Sequence, residues 1–227
     1  MIIPAIIAKD FKELKEKLSL VEGLVSWAHI DVMDGVFVAP VTWRAPEELN
    51  MVQTSLNLEA HLMIANPEDT IDAWLDSPVK RILLHYESTA PETLKALIEK
   101  TNKTGKEAGI VLKLATRLSV LDDFLLPTHY PLPLIQLMSI AKIGYHGHPF
   151  VRGTLGRIRV LREKYPHAII EADGGVTLEN APSLCIAGAD RLVAGSAIFK
   201  SGDIKATIKK FNAALTHDPS TSSGQVK

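Results

Sequence analysis

Short apolar runs alternate with longer amphipathic stretches from one end of the chain to the other. The runs are Ile2–Ile7, Trp27–Val32, Leu56–Met63, Val79–His85, Gly109–Leu114, Pro133–Met138, Ala168–Ala172 and Asp190–Ala194. Most are rich in Ile, Val and Leu, the pattern of strands buried on both faces. Between them the spacing predicts helices over Phe11–Leu20, Pro67–Leu75, Pro91–Lys103, Ser119–Leu126, Thr154–Lys164, Thr177–Ile186 and Ile204–Leu215. Asp10 precedes the first as an N-cap, and Asn66 precedes the second, which opens on Pro67. Leu94, Leu97 and Ile98 lie at helical spacing in the third, and Gly105 stands just past its end as a stop. Arg44–Met51 carries the weakest helical signal. A repeated strand–helix order implies a parallel sheet, and eight units suit a closed (β/α)8 TIM barrel. An open doubly wound sheet is the alternative, but no G-x-G-x-x-G follows the first strand.

The length of 227 residues suits one such barrel, which spans roughly 200–250 residues. No Ser/Gly-rich linker divides the chain, so one catalytic domain is expected over residues 1–215. The segment 216–227, THDPSTSSGQVK, is polar and is expected to be a disordered tail without a site. Lys plus Arg number 25 against 26 Asp plus Glu. That balance gives no electrostatic reason to expect nucleic acid or anionic lipid as a partner. A single Cys excludes an internal disulfide. The apolar start lacks a basic region before it, and no apolar run reaches the ~18 residues of a membrane span. The expected compartment is the cytoplasm.

In a barrel the site lies at the C-terminal ends of the strands. Side chains alternate along a strand, so His29, Asp31 and Met33 share one face, as do Glu59, His61 and Met63. Glu171 pairs with Asp173 in the same way, and the sixth run ends in Gln136-Leu137-Met138-Ser139. If these faces point inward, two imidazoles, two Asp carboxylates and three methionines converge on one mouth. That set can hold a divalent metal, and mixed N/O ligation suits Zn, Fe, Mn or Co. The plainer readings are a hydrogen-bonded core His, a helix-capping Asp and core-filling Met. Gly174-Gly175 and Gly195-Ser196 follow the seventh and eighth strands, where barrels often bind phosphate through backbone amides. His85 reads as structural or rim-lining. Lys113 falls on the fifth strand, and a Schiff-base role is disfavoured because its motif pairs it with no acid. His129, His167 and His217 read as solvated surface residues, and His146 and His148 lie in a Gly-rich loop.

Together these segments resemble the ribulose-phosphate 3-epimerase family, from Ile2 to about Ala214. The resemblance rests on HIDVMDGVFV (His29–Val38), HLMI (His61–Ile64), EADGGV (Glu171–Val176) and AGADRLVAGSAIF (Ala187–Phe199), in that order and spacing. It implies a barrel of the ribulose-phosphate-binding type and metal ligands at His29, Asp31, His61 and Asp173. It places an acid/base pair on Asp31 and Asp173 and active-site methionines at Met33, Met63 and Met138. It also implies substrate contact at His61 and phosphate binding around Gly144, Gly147, Gly174, Gly175, Gly195 and Ser196. The implied reaction is epimerisation at C3 of a ketose phosphate, D-ribulose 5-phosphate to D-xylulose 5-phosphate. Two carboxylates would move the proton through an enediolate stabilised by one divalent metal ion. The implied partners are a small sugar phosphate and other copies of the chain in a homo-oligomer.

The chain also departs from the family pattern. Ala5 stands where the family's Pro-Ser-Ile-Leu-Ser-Ala-Asp-Phe has a serine, and loss of one hydrogen bond there costs about 1 kcal/mol. The stretch Met138–His148 replaces Met-Ser-Val-Asn-Pro-Gly-Phe-Gly-Gly-Gln, is one residue longer, and ends on His148 in place of Gln. These departures bear on substrate identity. A 3-epimerase for a longer ketose phosphate such as D-allulose 6-phosphate is one alternative. A sugar-phosphate binder that has lost the reaction is another. The decarboxylase group that resembles orotidine-phosphate decarboxylase is disfavoured, because its Asp-x-Lys-x-x-Asp arrangement is missing from the second and third strands.

Overall fold

A computed structural model describes residues 1–125, 134–145 and 147–216. Eight strands close into a barrel in chain order, and every neighbouring pair is parallel. They are β1 (Ile2–Ile6), β2 (Trp27–Met33), β3 (Asn57–Met63), β4 (Arg81–His85), β5 (Glu107–Leu112), β6 (Leu134–Met138), β7 (Ile170–Asp173) and β8 (Arg191–Ala194). The single-domain barrel expected from the alternating pattern is what the chain forms, and the open sheet is excluded by the β1–β8 pairing.

Strand alternation sorts the interior. Ala28, Ile30, Val32, Leu58, Ala60, Leu62, Ile82, Leu84, Ile110 and Leu112 belong to one large cluster between the barrel's outer face and the helices. The residues between them point to the axis, where apolar groups form only small separate clusters, such as Ile3–Ala5–Val193 and Met33–Val38–Met63. The rest of the inner space is polar. His29, Glu59, His61, Arg81, His85, Gln136 and Glu171 are all fully buried. Burying so many polar groups is costly unless they satisfy one another, and most of these do.

The helices are α1 (Phe11–Val21), α2 (Ile71–Asp76), α3 (Pro91–Lys103), α4 (Asp122–Leu125), α5 (Gly153–Lys164), α6 (Ala181–Ala187), α7 (Ser196–Phe199) and α8 (Ile204–Thr216). Asp10 caps α1, its carboxylate accepting from the Glu13 N–H at 2.9 Å. Several expectations shift. In place of a helix over Ser119–Leu126, the described residues form a 3-10 turn over Leu118–Leu121 followed by the four-residue α4. Pro67–Leu75 is a 3-10 turn (Pro67–Asp69) followed by the short α2. Asn66 adopts φ 49° and makes no side-chain cap bond, so the chain turns before the helix can start. Arg44–Met51 forms a 3-10 helix over Pro46–Met51. The helix expected from Thr177 starts only at Ala181, because Thr177 and Asn180 close a turn on each other first. β5 ends at Leu112, which leaves Lys113 in the loop beyond the strand. Leu126, His129, Pro133, His146, His217 and the rest of the polar tail lie outside the described residues, while Thr216 closes α8. His167 is exposed, as expected. Among the described residues no helix is long and apolar enough to cross a membrane.

Candidate active site at the barrel mouth

The β2–β3 register sets Asp31 beside His61 and Met33 beside Met63, and the β6–β7 register sets Met138 beside Asp173. His29 Nε2 and His61 Nδ1 therefore face each other at 3.1 Å. Asp31 Oδ1 lies 3.0 Å from His61 Nδ1 and 3.3 Å from His29 Nε2. Asp173 Oδ2 reaches across from β7 to 3.6 Å from His61 Nδ1 and 4.0 Å from His29 Nε2. One ligand atom from each of the four lies within 4.8 Å of the others.

The outer nitrogens of the two imidazoles are already engaged. His29 Nδ1 donates to Glu59 Oε1 at 2.8 Å, and His61 Nε2 shares a hydrogen bond with His85 Nε2 at 2.9 Å. With protons on those outer nitrogens, as metal ligation requires, both facing nitrogens present lone pairs, and with no cation between them the same facing nitrogens hydrogen-bond to Asp31. Two lone pairs and two carboxylates then converge on one small volume. A cation satisfies that donor set. Four tetrahedral ligands at ordinary metal–ligand distances stand about 3.4 Å apart, close to the separations here. The residues fit a divalent metal.

A second tier of residues supports this set, and of these only His85 has a role read from the sequence, as structural or rim-lining. Glu59 is paired with Arg81, whose guanidinium lies 3.9 Å over the Trp27 ring and donates through Nε to Glu107 at 2.7 Å. His85 is fully buried and does not line the rim. Its Nδ1 faces Glu87 Oε2 at 3.2 Å, while Glu87 Oε1 accepts from the Lys113 N–H and the Thr116 hydroxyl. Gln136 Nε2 donates to Asp173 Oδ2 at 3.0 Å. Alternation had placed Glu59 and Gln136 on inward faces, but His85 and Glu87 are linked to the site only by the folded chain.

Electrostatics separate the two carboxyls. Burial raises the Asp31 carboxyl, but hydrogen bonds from His29 and His61 outweigh it and hold the group far below its usual range. The Asp173 carboxyl is pushed up to about 6, chiefly by burial and then by the neighbouring Asp31 and Glu59 charges, against the pull of both imidazoles. His29 is raised, since its bonds to Asp31 and Glu59 overcome burial. His85 is driven down to about 4, mainly by burial, and is neutral at ordinary pH.

Above this centre lies a cleft walled by Ala5, Asp31, Met63, Met138, Gly144, Gly147, Asp173, Gly174, Gly175, Gly195 and Ser196. Two expected substrate contacts are not in its wall. Met33 is fully buried and packs beneath Gly144, and His61 is fully buried within the donor cluster. Gly175 has φ +66°, and a Cβ there would stand 2.7 Å from the Phe150 backbone nitrogen. That turn therefore needs glycine, and its backbone faces the cleft. His148 packs near the Tyr145 ring at 5.8 Å.

Residues 1–199 match the model of the ribulose-phosphate 3 epimerase family. The chain belongs to that family. It is therefore an epimerase, and the family supports a pentulose phosphate as substrate. A ribulose-5-phosphate-3-epimerase, chloroplastic, of Arabidopsis thaliana is 33% identical over 223 residues, covering 94% of this chain and 76% of the relative. The ribulose-phosphate 3-epimerase of Aquifex aeolicus (strain VF5) is 32% identical over 222 residues, covering 95% and 96%. Among solved structures, a 3-hexulose-6-phosphate synthase from Salmonella typhimurium superposes with a TM-score of 0.68 at 15% identity, covering 94% of this chain and 97% of that one. An orotidine 5'-monophosphate decarboxylase from Sulfolobus solfataricus gives 0.63 at 11% identity, covering 94% and 96%. At those identities the likeness is one of fold.

Proposed function

We propose that the chain interconverts D-ribulose 5-phosphate and D-xylulose 5-phosphate, with Asp31 and Asp173 as the acid/base pair. The observation that carries this reading is that the two carboxylates, from β2 and β7, enter one cleft beside the same pair of imidazoles. Inversion at C3 needs a proton removed from one face and another delivered to the opposite face. One carboxylate takes the C3 proton while the other, protonated, supplies the replacement, and the roles exchange in the reverse direction. Their unlike surroundings support that division, since one carboxyl is held low and the other high. Gln136 keeps the Asp173 oxygen aimed at the cleft. The side chains of Met63 and Met138 wall the reacting carbon and keep water away. The backbone N–H groups of the Gly174-Gly175 and Gly195-Ser196 turns are suited to the phosphate. His29, Asp31, His61 and Asp173 would hold one divalent metal ion, Zn, Fe, Mn or Co. When bound, that ion withdraws electron density from the C2 carbonyl and makes the C3 proton more acidic.

The test is turnover of D-ribulose 5-phosphate in a coupled D-xylulose 5-phosphate assay, after stripping metal and again after adding it back. Turnover is expected to return with the metal. In the repleted protein, Asp173→Asn should lower kcat by about 10²–10⁴-fold while the barrel stays folded. Normal turnover in that variant would remove Asp173 from the acid/base pair.

A further inference from the structure

A second cavity, of about 490 Å³, opens beside the cleft, whose own free volume is about 40 Å³. Its walls come from the loops after β2, β5 and β6, and include Phe37, Lys113, Ile140, Lys142, Ile143 and Tyr145. Ile140 and Tyr145 line both spaces, so the two adjoin. Most of the wall is apolar, and its charges are two lysines. Lys113 Nζ lies 3.7 Å from the centre of the Phe37 ring, and Lys142 Nζ lies 4.5 Å from that of Tyr145. Among the described residues, the lysines in ion pairs are Lys12, Lys17, Lys100 and Lys164. Glu87, which accepts from the Lys113 backbone N–H, is also engaged by His85 and the Thr116 hydroxyl. Both lysines thus line the cavity, and among the described residues neither is in an ion pair. A ring face attracts a cation only weakly when it is exposed, so each remains available to an anion.

The barrel's topology says which end of a ligand would reach them. In a closed ring of eight strands, β3 and β4 lie opposite β7 and β8. A sugar phosphate held by the turns after β7 and β8, with its reacting carbon between Asp31 and Asp173, sends its other end toward the β3–β4 side of the mouth, which is flanked by the loops after β2 and β5 that wall the cavity. The loop that supplies Ile140, Lys142 and Tyr145 is also where this chain departs from the family pattern.

We infer that this cavity is a subsite for the C1 end of the substrate, and that the chain prefers a ketose phosphate carrying a second anionic group there. This rests on the epimerase reading for the orientation of the ligand. The reaction itself is unchanged, since the proton leaves and returns at C3 and the second anion takes no part in bond making.

The experiment measures equilibrium binding of D-ribulose 1,5-bisphosphate and D-ribulose 5-phosphate by calorimetry, alongside turnover of both. In the unaltered protein the bisphosphate should bind at least tenfold more tightly, with an advantage that shrinks as salt rises. Lys142→Ala and Lys113→Ala should each lower the ratio of the two affinities several-fold. Equal affinities in the unaltered protein, or a ratio that neither substitution changes, would overturn the subsite. Binding that follows the expected pattern with turnover of neither sugar would overturn the epimerase reading and leave the subsite standing.

Discussion

His29 and His61 each direct one ring nitrogen into the barrel wall and the other into the donor cluster. The partner on the wall side decides which nitrogen carries the proton. For His61 that partner is His85, and His85 in turn is held by Glu87. With Glu87 ionised, His85 keeps its proton on Nδ1 and offers a lone pair at Nε2. His61 then donates from Nε2, and its Nδ1, beside Asp31 and Asp173, is the nitrogen that would ligate a metal. Glu87 is therefore a positioning residue two hydrogen bonds removed from His61, which would hold the metal. Glu87→Gln can place an amide N–H against His85 Nδ1 and reverse both tautomers. It should weaken metal affinity by about 10–100-fold, the usual effect of losing such an outer partner. Competition with a chelator on the folded protein reads this directly. Affinity equal to that of the unaltered chain would show that His61 selects its tautomer without Glu87.

At the scale of elements, the loop after β2 is tied down before it can form part of the mouth. Asp34 Oδ1 accepts from the Val36 and Phe37 N–H groups at 2.8 and 2.9 Å, and Oδ2 accepts from the Ala65 N–H beyond β3 at 2.8 Å. Partial burial raises its carboxyl, but these backbone donors outweigh that and leave it below its ordinary value. The folded form thus favours the ionised carboxylate. Its stabilisation is fully present above the unfolded-chain pKa, about 3.8, and is lost as pH falls through the lower folded value. Asp34→Asn removes at least one acceptor and should destabilise by on the order of 1 kcal/mol at pH 7. The deficit should shrink at pH 3, which lies below the unfolded-chain value of about 3.8, where the stabilisation from the ionised carboxylate is being lost. Urea unfolding at the two pH values tests this, and a deficit independent of pH would show that charge plays no part. The strands were legible because buried parallel strands need unbroken apolar runs, and their alternation was enough to bring His29, Asp31, His61 and Asp173 together. The short elements were less legible. Pro46–Met51 and Pro67–Asp69 carry proline and acidic first turns like α-helices, yet too little apolar stripe to extend beyond a 3-10 turn. The two lysines of the second cavity could not be read either, because loops after three separate strands build it.

At the scale of the whole molecule, the barrel axis is a stack of charge. The donor cluster of Asp31, Asp173, His29 and His61 occupies the mouth. Glu59, Arg81, Glu171 and the partly buried Arg191 lie deeper along the same inward faces. Among the described residues Glu171 has no hydrogen-bond partner for either oxygen, and burial followed by the Glu59 charge pushes its carboxyl up to about 8. Glu59 escapes that fate because Arg81 pairs with it and His29 donates to it, and its carboxyl is held below its ordinary value despite burial. Arg81 is thus the cation that lets a buried carboxylate stand behind a metal-facing imidazole. Arg81→Met keeps much of the volume against Trp27 but leaves Glu59 charged and uncompensated. It should destabilise the fold by about 3–5 kcal/mol. Adding Glu59→Gln to it removes the stranded charge, so the double variant should recover a large part of that loss rather than add to it. Chemical unfolding of the two single variants and the double one gives the coupling. Strictly additive losses would show that Arg81 stabilises the barrel through packing on Trp27 and its bond to Glu107, and that the Glu59 charge needs no partner inside.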